Sequence, residues 1–336
     1  MGGRSITRRE FTRRSILALA GAGAAGVIGY STFNTKKIRA VNNLARMGHC
    51  APAIMQTLLE QNDIRNDNMV LYAAGLAGGI AGSRTECGAL TSPLMFLSFS
   101  NGNLSDIPGK LDLISKAQSY VKEFIEFNGS PFCINIRQKG MPACRKAIYN
   151  HNEPFSKALA RPVALSEESE SSYTLLLREF GNSNFHCTHN VLKNLNSEFV
   201  VNKELLDASW IFIGGLAMLN RTCGALTAGV MALSSATAKI EDSHSRVAKM
   251  NRLLRKGDNK AMDESINNFN RSINLSDELG LWFRNEFGFT SCYDIWRYDF
   301  SKMKDAESFI AGQCMKQCSG IGEKVAGKVN SILKIG

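Results

Sequence analysis

The chain contains no Cys-x-x-Cys pair and no Cys-x-x-Cys-His. A zinc ribbon, a thioredoxin-type dithiol and a covalently attached c-type haem therefore lack sequence support. Proline is scarce, at seven of 336 residues, and no β-rich block occurs. With 44% hydrophobic content, these features predict a compact, helix-rich chain. No basic motif interleaved with aromatics is present, so no nucleic-acid partner is expected. No general acid–base pair and no nucleophile–base arrangement stands out.

What the chain does have is nine cysteines and an internal repeat. Residues 87–98 (CGALTSPLMFLS) and 223–234 (CGALTAGVMALS) are identical at eight of twelve positions. Gly78-Gly79 and Gly214-Gly215 stand at the same distance upstream of Cys87 and Cys223. The register holds elsewhere. His49-Cys50 and His186-Cys187 each open a helical stretch; Gly129 and Gly288 lie four residues before Cys133 and Cys292. A last cysteine closes each half: Cys144 in the first, and Cys318 or Cys314 in the second. Cys318 is favoured because it heads a terminal helix pattern, as Cys144 heads CRKAI. A repeat of this length means two copies of one structural unit.

The fold class expected is all-α: two homologous helical-bundle domains arranged as an internal pseudo-dimer. The expected boundaries are a leader at 1–33, a first domain at 34–160, a serine-rich acidic linker at 161–172 and a second domain at 173–336. Apolar periodicity predicts helices over 36–60 with a break near Gly48, 67–81 ending at glycine, Cys87 to about Phe99, 110–127, and 142–160. Cys223 and Cys292 are 69 residues apart, against 46 for Cys87 and Cys133. The extra residues fall in the charged stretch 240–265, expected to be a longer surface helical hairpin.

Residues 7–13, TRREFTR, followed by SILALAGAGAAGVIGY, have the form of a twin-arginine leader. The apolar run is short and rich in Gly and Ala for a span of about 20 strongly apolar residues. Export to the periplasm or the outer face of the cytoplasmic membrane is expected, with membrane contact only through a retained N-terminal segment. The leader carries +4 of the chain's formal +10, which leaves a mild +6 spread over the remainder. That route moves folded proteins, and a metal inserted before export would keep thiolates from oxidising outside.

Cys87 and Cys223 follow a Thr-containing turn and begin an apolar helix. Unpaired N–H groups and the positive end of the helix dipole at such a position are expected to lower a thiol pKa. The Gly-Ala that follows lets the backbone approach and donate N–H bonds to sulfur, one of the levers on a cluster's potential. Core packing of buried free cysteine is the competing reading for any one copy. Four matched positions in two copies favour a metal or redox role.

In their order these residues resemble the redox-active proteins named for their C_GCAxxG_C_C cysteine pattern, in two tandem copies over most of residues 45–334. The pattern departs at its last glycine, where the chain has Ser92 and Ala228. The resemblance implies an iron–sulfur cluster, [2Fe–2S] or [4Fe–4S], in each copy. Cys50, Cys87, Cys133 and Cys144 would hold one; Cys187, Cys223, Cys292 and Cys318 (or Cys314) would hold the other. His49, His186 and His189 flank the first cysteines and could replace a thiolate. Electron transfer with a partner oxidoreductase or cytochrome follows as the expected role, an electron carrier or redox subunit rather than a substrate-converting enzyme. The competing roles are a thiol–disulfide protein and a zinc-binding structural or sensory module.

Overall fold

The computed structural model describes residues 26–102 and 105–334, with side chains from residue 37 onward. Residues 7–13 and most of the apolar stretch of the leader lie outside the described residues. Among the described residues no helix is long and apolar enough to cross a membrane. No strand forms among them; two isolated antiparallel bridges, Glu86 with Phe132 and Thr222 with Ser291, are the extended contacts.

The first half is built from α1 (Gly26–Met47), α2 (Cys50–Gln61), α3 (Asp67–Tyr72), α4 (Gly88–Asn101), α5 (Ile107–Asn128), α6 (Cys133–Gln138), α7 (Met141–Tyr149) and α8 (Asn152–Ala160). The second contains α9 (Glu167–Asn182), α10 (Cys187–Lys193), α11 (Lys203–Ser209), α12 (Gly224–Thr237), α13 (His244–Arg255), α14 (Asn270–Phe287), α15 (Cys292–Trp296), α16 (Met303–Ala311) and α17 (Cys314–Leu333).

Local chemistry explains many of the ends. Gly48, at φ +81, breaks the chain between α1 and α2 where the periodicity predicted it. Asn66 and Asn202 occupy the same position of the repeat, and each caps its helix by accepting an N–H, from Met69 and Leu205. Asp106 caps α5, which buries Leu113, Ile114, Ala117, Tyr120, Val121 and Phe124 along one face.

Three expectations are corrected. Residues 67–81 do not form one helix: α3 stops at Tyr72 and two single 3₁₀ turns follow, Ala74–Leu76 and Ile80–Gly82. Gly78 and Gly79 both take positive φ there, which an α-helix does not accommodate. Residues 142–160 divide into α7 and α8 around Asn150-His151. The charged insertion forms α13 and a 3₁₀ turn, Asn259–Met262, and it packs on the body of the protein. Arg46 of α1 pairs with Asp242 at 2.6 Å, and a Cβ at Gly48 would meet the buried Met250 at 2.6 Å. Helix α9 begins at Glu167, within the serine-rich acidic stretch, because Ser166 caps it.

Helices α4 and α12, which follow the repeated Cys-Gly-Ala, lie at the centre. Residues 88–98 and 224–234 are buried on every side, as befits helices apolar all round. Around them a single hydrophobic core runs through both halves, from Met55, Leu58 and Leu94 to Val230, Phe283 and Val329. Helix α4 packs on α11, and α12 on α3 and the turn at Ala74–Leu76. The repeat is thus an internal pseudo-dimer in which each half completes the other.

Polar contacts repeat this exchange. Ser98 and Ser234 end the two copies of the twelve-residue repeat. Ser234 Oγ accepts the Gly75 N–H at 2.9 Å, and Ser98 Oγ accepts the Ile211 N–H at 3.2 Å. Each buried hydroxyl therefore satisfies a turn of the opposite half. Glu86 and Thr222 share one repeat position and meet, as residues on a two-fold axis do: Thr222 Oγ1 donates to Glu86 Oε2 at 2.5 Å.

Candidate metal centres

Seven of the nine cysteines stand at the start of a helix. Cys50, Cys133, Cys187, Cys292 and Cys314 are first residues, and Cys87 and Cys223 are N-caps. Cys144 and Cys318 do not head their helices as expected. Gly140 and Pro142 start α7 at Met141, which puts Cys144 in its first turn. Gln313, in the left-handed region, starts α17 at Cys314, which puts Cys318 one turn further in.

The two sites are assembled by matching backbone bonds. The N–H of Cys87 donates to Pro131 O and that of Cys223 to Thr290 O, both at 2.8 Å. In return Cys133 N–H donates to Thr85 O and Cys292 N–H to Arg221 O, both at 2.6 Å. Each pair of exchanges pins the second and third cysteines of a copy side by side. The first cysteine is drawn in by glycine. A Cβ on Gly88 would lie 2.8 Å from Cys50 Sγ, and one on Gly224 would lie 2.5 Å from Cys187 Sγ. Only glycine leaves space for the sulfur in the Cys-Gly turn. The upstream glycine pair contributes as well: backbone N–H groups of Gly78 and Gly214 bond to the sulfurs of Cys50 and Cys187.

Burial is the main influence on these thiols. It pushes Cys133 and Cys187 up to about 12, and Cys87, Cys223, Cys292 and Cys318 also rise. The lowered pKa expected at the helix starts of Cys87 and Cys223 is therefore corrected. N–H groups of Ala89, and of Ala225 and Leu226, do bond to those sulfurs and pull the other way, but the loss of water outweighs them. After burial, repulsion between neighbouring thiolates adds to the rise. In the first half it links all six pairings of Cys50, Cys87, Cys133 and Cys144. In the second it links all six pairings of Cys187, Cys223, Cys292 and Cys318. Cys314 joins this set only through Cys318, and the Tyr298 hydroxyl bonds to its sulfur instead.

Cys187, Cys223, Cys292 and Cys318 line one cavity with Gly214, Gly215 and Gly224. Its remaining wall is apolar and largely aromatic: Phe180, Phe185, Trp296, Phe300 and Phe309 among others. These aromatics were not singled out in the sequence, although three of them follow Cys292 within seventeen residues. All nine thiols are free. Among the described residues no group of three or more His, Cys, Asp or Glu is arranged to hold a metal ion. The donor set suits an iron–sulfur cluster: four thiols per half, N–H groups already on the sulfurs, and a cradle that a Cβ would fill.

The histidines take packing and capping roles. His49 Nε2 lies 2.9 Å from Asn270 Oδ1 of α14. His186 caps α10, pairs with Thr188 Oγ1 at 2.9 Å and stacks on His189 at 4.1 Å. His189 Nε2 lies 3.0 Å from Leu206 O. Burial holds His49 and His189 down at about 4 and also lowers His186. At the departing glycine positions, Ser92 Oγ donates to Ala51 O at 3.0 Å and Ala228 is fully buried, so both small side chains are accommodated.

Among known proteins, the chain is similar to an uncharacterized protein of Archaeoglobus fulgidus, 32% identical over 106 residues that cover 29% of this chain and 70% of that one. No solved structure matches it. The family model described as "Putative redox-active protein (C_GCAxxG_C_C)" matches residues 48–157 and 185–332. With two matches over most of its length, one in each half of the pseudo-dimer, the chain belongs to the C_GCAxxG_C_C family of redox-active proteins.

Proposed function

We propose that this is an exported redox protein that binds one iron–sulfur cluster in each half and transfers electrons with a partner oxidoreductase or cytochrome. The observation that carries this reading is the mutual proximity of four thiols in each half, reached through the same helix starts and the same glycine contacts. Cys50, Cys87, Cys133 and Cys144 would hold one cluster, and Cys187, Cys223, Cys292 and Cys318 the other. A bound cluster would supply reversible one-electron storage. The protein's part is to hold the ligands and tune them. Deprotonating four buried thiols is costly in a dry site, and a bound cation offsets that cost. N–H groups of Gly78, Gly214, Ala89, Ala225 and Leu226 would stabilise negative charge on sulfur. The aromatic wall of the second site would exclude water from it. A twin-arginine route accords with insertion of the clusters before export.

Anaerobic purification from cells able to build clusters, followed by iron and acid-labile sulfide assays and an absorption spectrum, tests this. Iron and sulfide in equal amounts, with a visible charge-transfer band, are expected. Zinc alone, or thiols protected in pairs, would overturn the reading.

A further inference from the structure

The two sites differ in what covers them. In the second half Cys292 is buried and Cys318 partly buried, and the aromatic wall and α16 pack around them. In the first half α6 and α7 carry Cys133 and Cys144 at the surface, each only partly buried. From Gly129 through Asn152 the chain has four basic residues, Arg137, Lys139, Arg145 and Lys146, and no acidic one. All four are exposed. None forms an ion pair with a described residue. The nearby acids of α5, Glu123 and Glu126, are taken by Lys157 at 2.6 and 3.9 Å. Exposed Ile134 and Met141 give the same surface apolar contact area. The corresponding segment of the second half, 288–318, balances four basic residues with four acidic ones.

Arg137 of this cluster acts on the sulfurs. Burial dominates the Cys133 and Cys144 thiols, and against it Arg137 favours both thiolates, with Arg84 also acting on Cys133. Unpaired like charges around a partly open redox site raise the local concentration of oppositely charged partners and orient them on approach.

We infer that the α6–α7 surface is the docking face for an acidic protein electron carrier, so that electrons enter and leave through the first site while the second lies in the interior. This rests on the proposed cluster ligation. A single electron would pass from the reduced carrier, which is oxidised, to the oxidised first site, which is reduced; no bond is made or broken.

The test follows anaerobic electron transfer from a reduced, acidic plant-type ferredoxin to the full chain. The rate should fall about tenfold on going from low salt to about 0.3 M. At low salt, R137E/R145E should lower it by about tenfold, and K304E/K316E should leave it unchanged. A rate indifferent to salt, or equally reduced by both variants, would overturn the docking face. So would salt-sensitive capture of phosphatidylglycerol vesicles by Arg137 and Arg145 without electron transfer. A second measurement needs no cluster: the metal-free chain is treated with an anionic or a cationic methanethiosulfonate, and each cysteine is followed by mass spectrometry. Cys133 and Cys144 should react before the second-half thiols and faster with the anion, a preference that R137E/R145E reverses. Equal rates with the two reagents would contradict the inference even where clusters assemble. The expected preference in a chain that takes up no iron would instead fault the cluster reading and leave the basic surface standing.

Discussion

Single residues set the sulfur positions. The Cys-Gly pair was legible as a repeat, and close backbone approach was the reason read for its glycine. The structure identifies what approaches: the first cysteine of the same copy. Gly224→Ala should destabilise the protein by roughly 1–3 kcal/mol through overpacking, measured by urea denaturation. Gly88→Ala should cost less, because its nearest contacts are looser: Cys50 Sγ at 2.8 Å, against Cys187 Sγ at 2.5 Å and Phe212 O at 2.7 Å around Gly224. A neutral Gly224→Ala would mean that Cys187 turns away at no cost. The histidines give a pH signature in the metal-free protein. His49 and His189 have folded pKa values of about 4 against 6.5 when unfolded, so the unfolded chain binds more protons in that window. Stability should be complete above pH 6.5 and fall as pH drops toward 4, by on the order of 3 kcal/mol for each histidine. Denaturation midpoints measured across this range should decline; a flat profile would contradict the burial of both rings. Neither pKa was legible in the sequence, because each depends on a distant element: α14 for His49, and Trp210 and Leu206 for the stacked pair.

At the scale of elements, long amphipathic helices such as α5 were readable from their periodicity, and so were the apolar α4 and α12. The stretch 67–81 was not, because its small residues suit a helix while Gly78 and Gly79 take positive φ, and the Gly78 N–H bonds to the Cys50 sulfur. The identical Ser98 and Ser234 were visible as a match, but their purpose appears only when each hydroxyl meets a turn of the opposite half. The Glu86–Thr222 contact joins the two Cys-Gly turns directly. Thr222→Val removes the 2.5 Å donor from a carboxylate that is 1% exposed and leaves it the Thr222 N–H at 3.4 Å. A loss of about 1–3 kcal/mol is expected in chemical denaturation. A change within about 0.5 kcal/mol, the range of an ordinary surface substitution, would mean that the contact carries no stability.

In the whole molecule, one hydrophobic core runs through both copies. Tandem repetition was plain in the sequence, yet the depth of the exchange was not, since residues 136 positions apart, such as Glu86 and Thr222, meet only in three dimensions. Because the core is continuous, thermal unfolding should show one cooperative transition, with calorimetric and van't Hoff enthalpies in agreement. Two separated transitions would show that the halves are independent. In the proposed function four thiols in each half form one ligand set. This is tested most directly by the iron and sulfide content of anaerobically purified Cys318→Ser and Cys314→Ser proteins. Thiolate repulsion links Cys318 to all three other thiols of its set, whereas it links Cys314 only to Cys318, and Cys314 bonds to Tyr298. Cys318→Ser should lose about half of the iron and sulfide, and Cys314→Ser should keep the wild-type amount. The reverse order, or equal contents in both variants and the wild type, would contradict this ligand set.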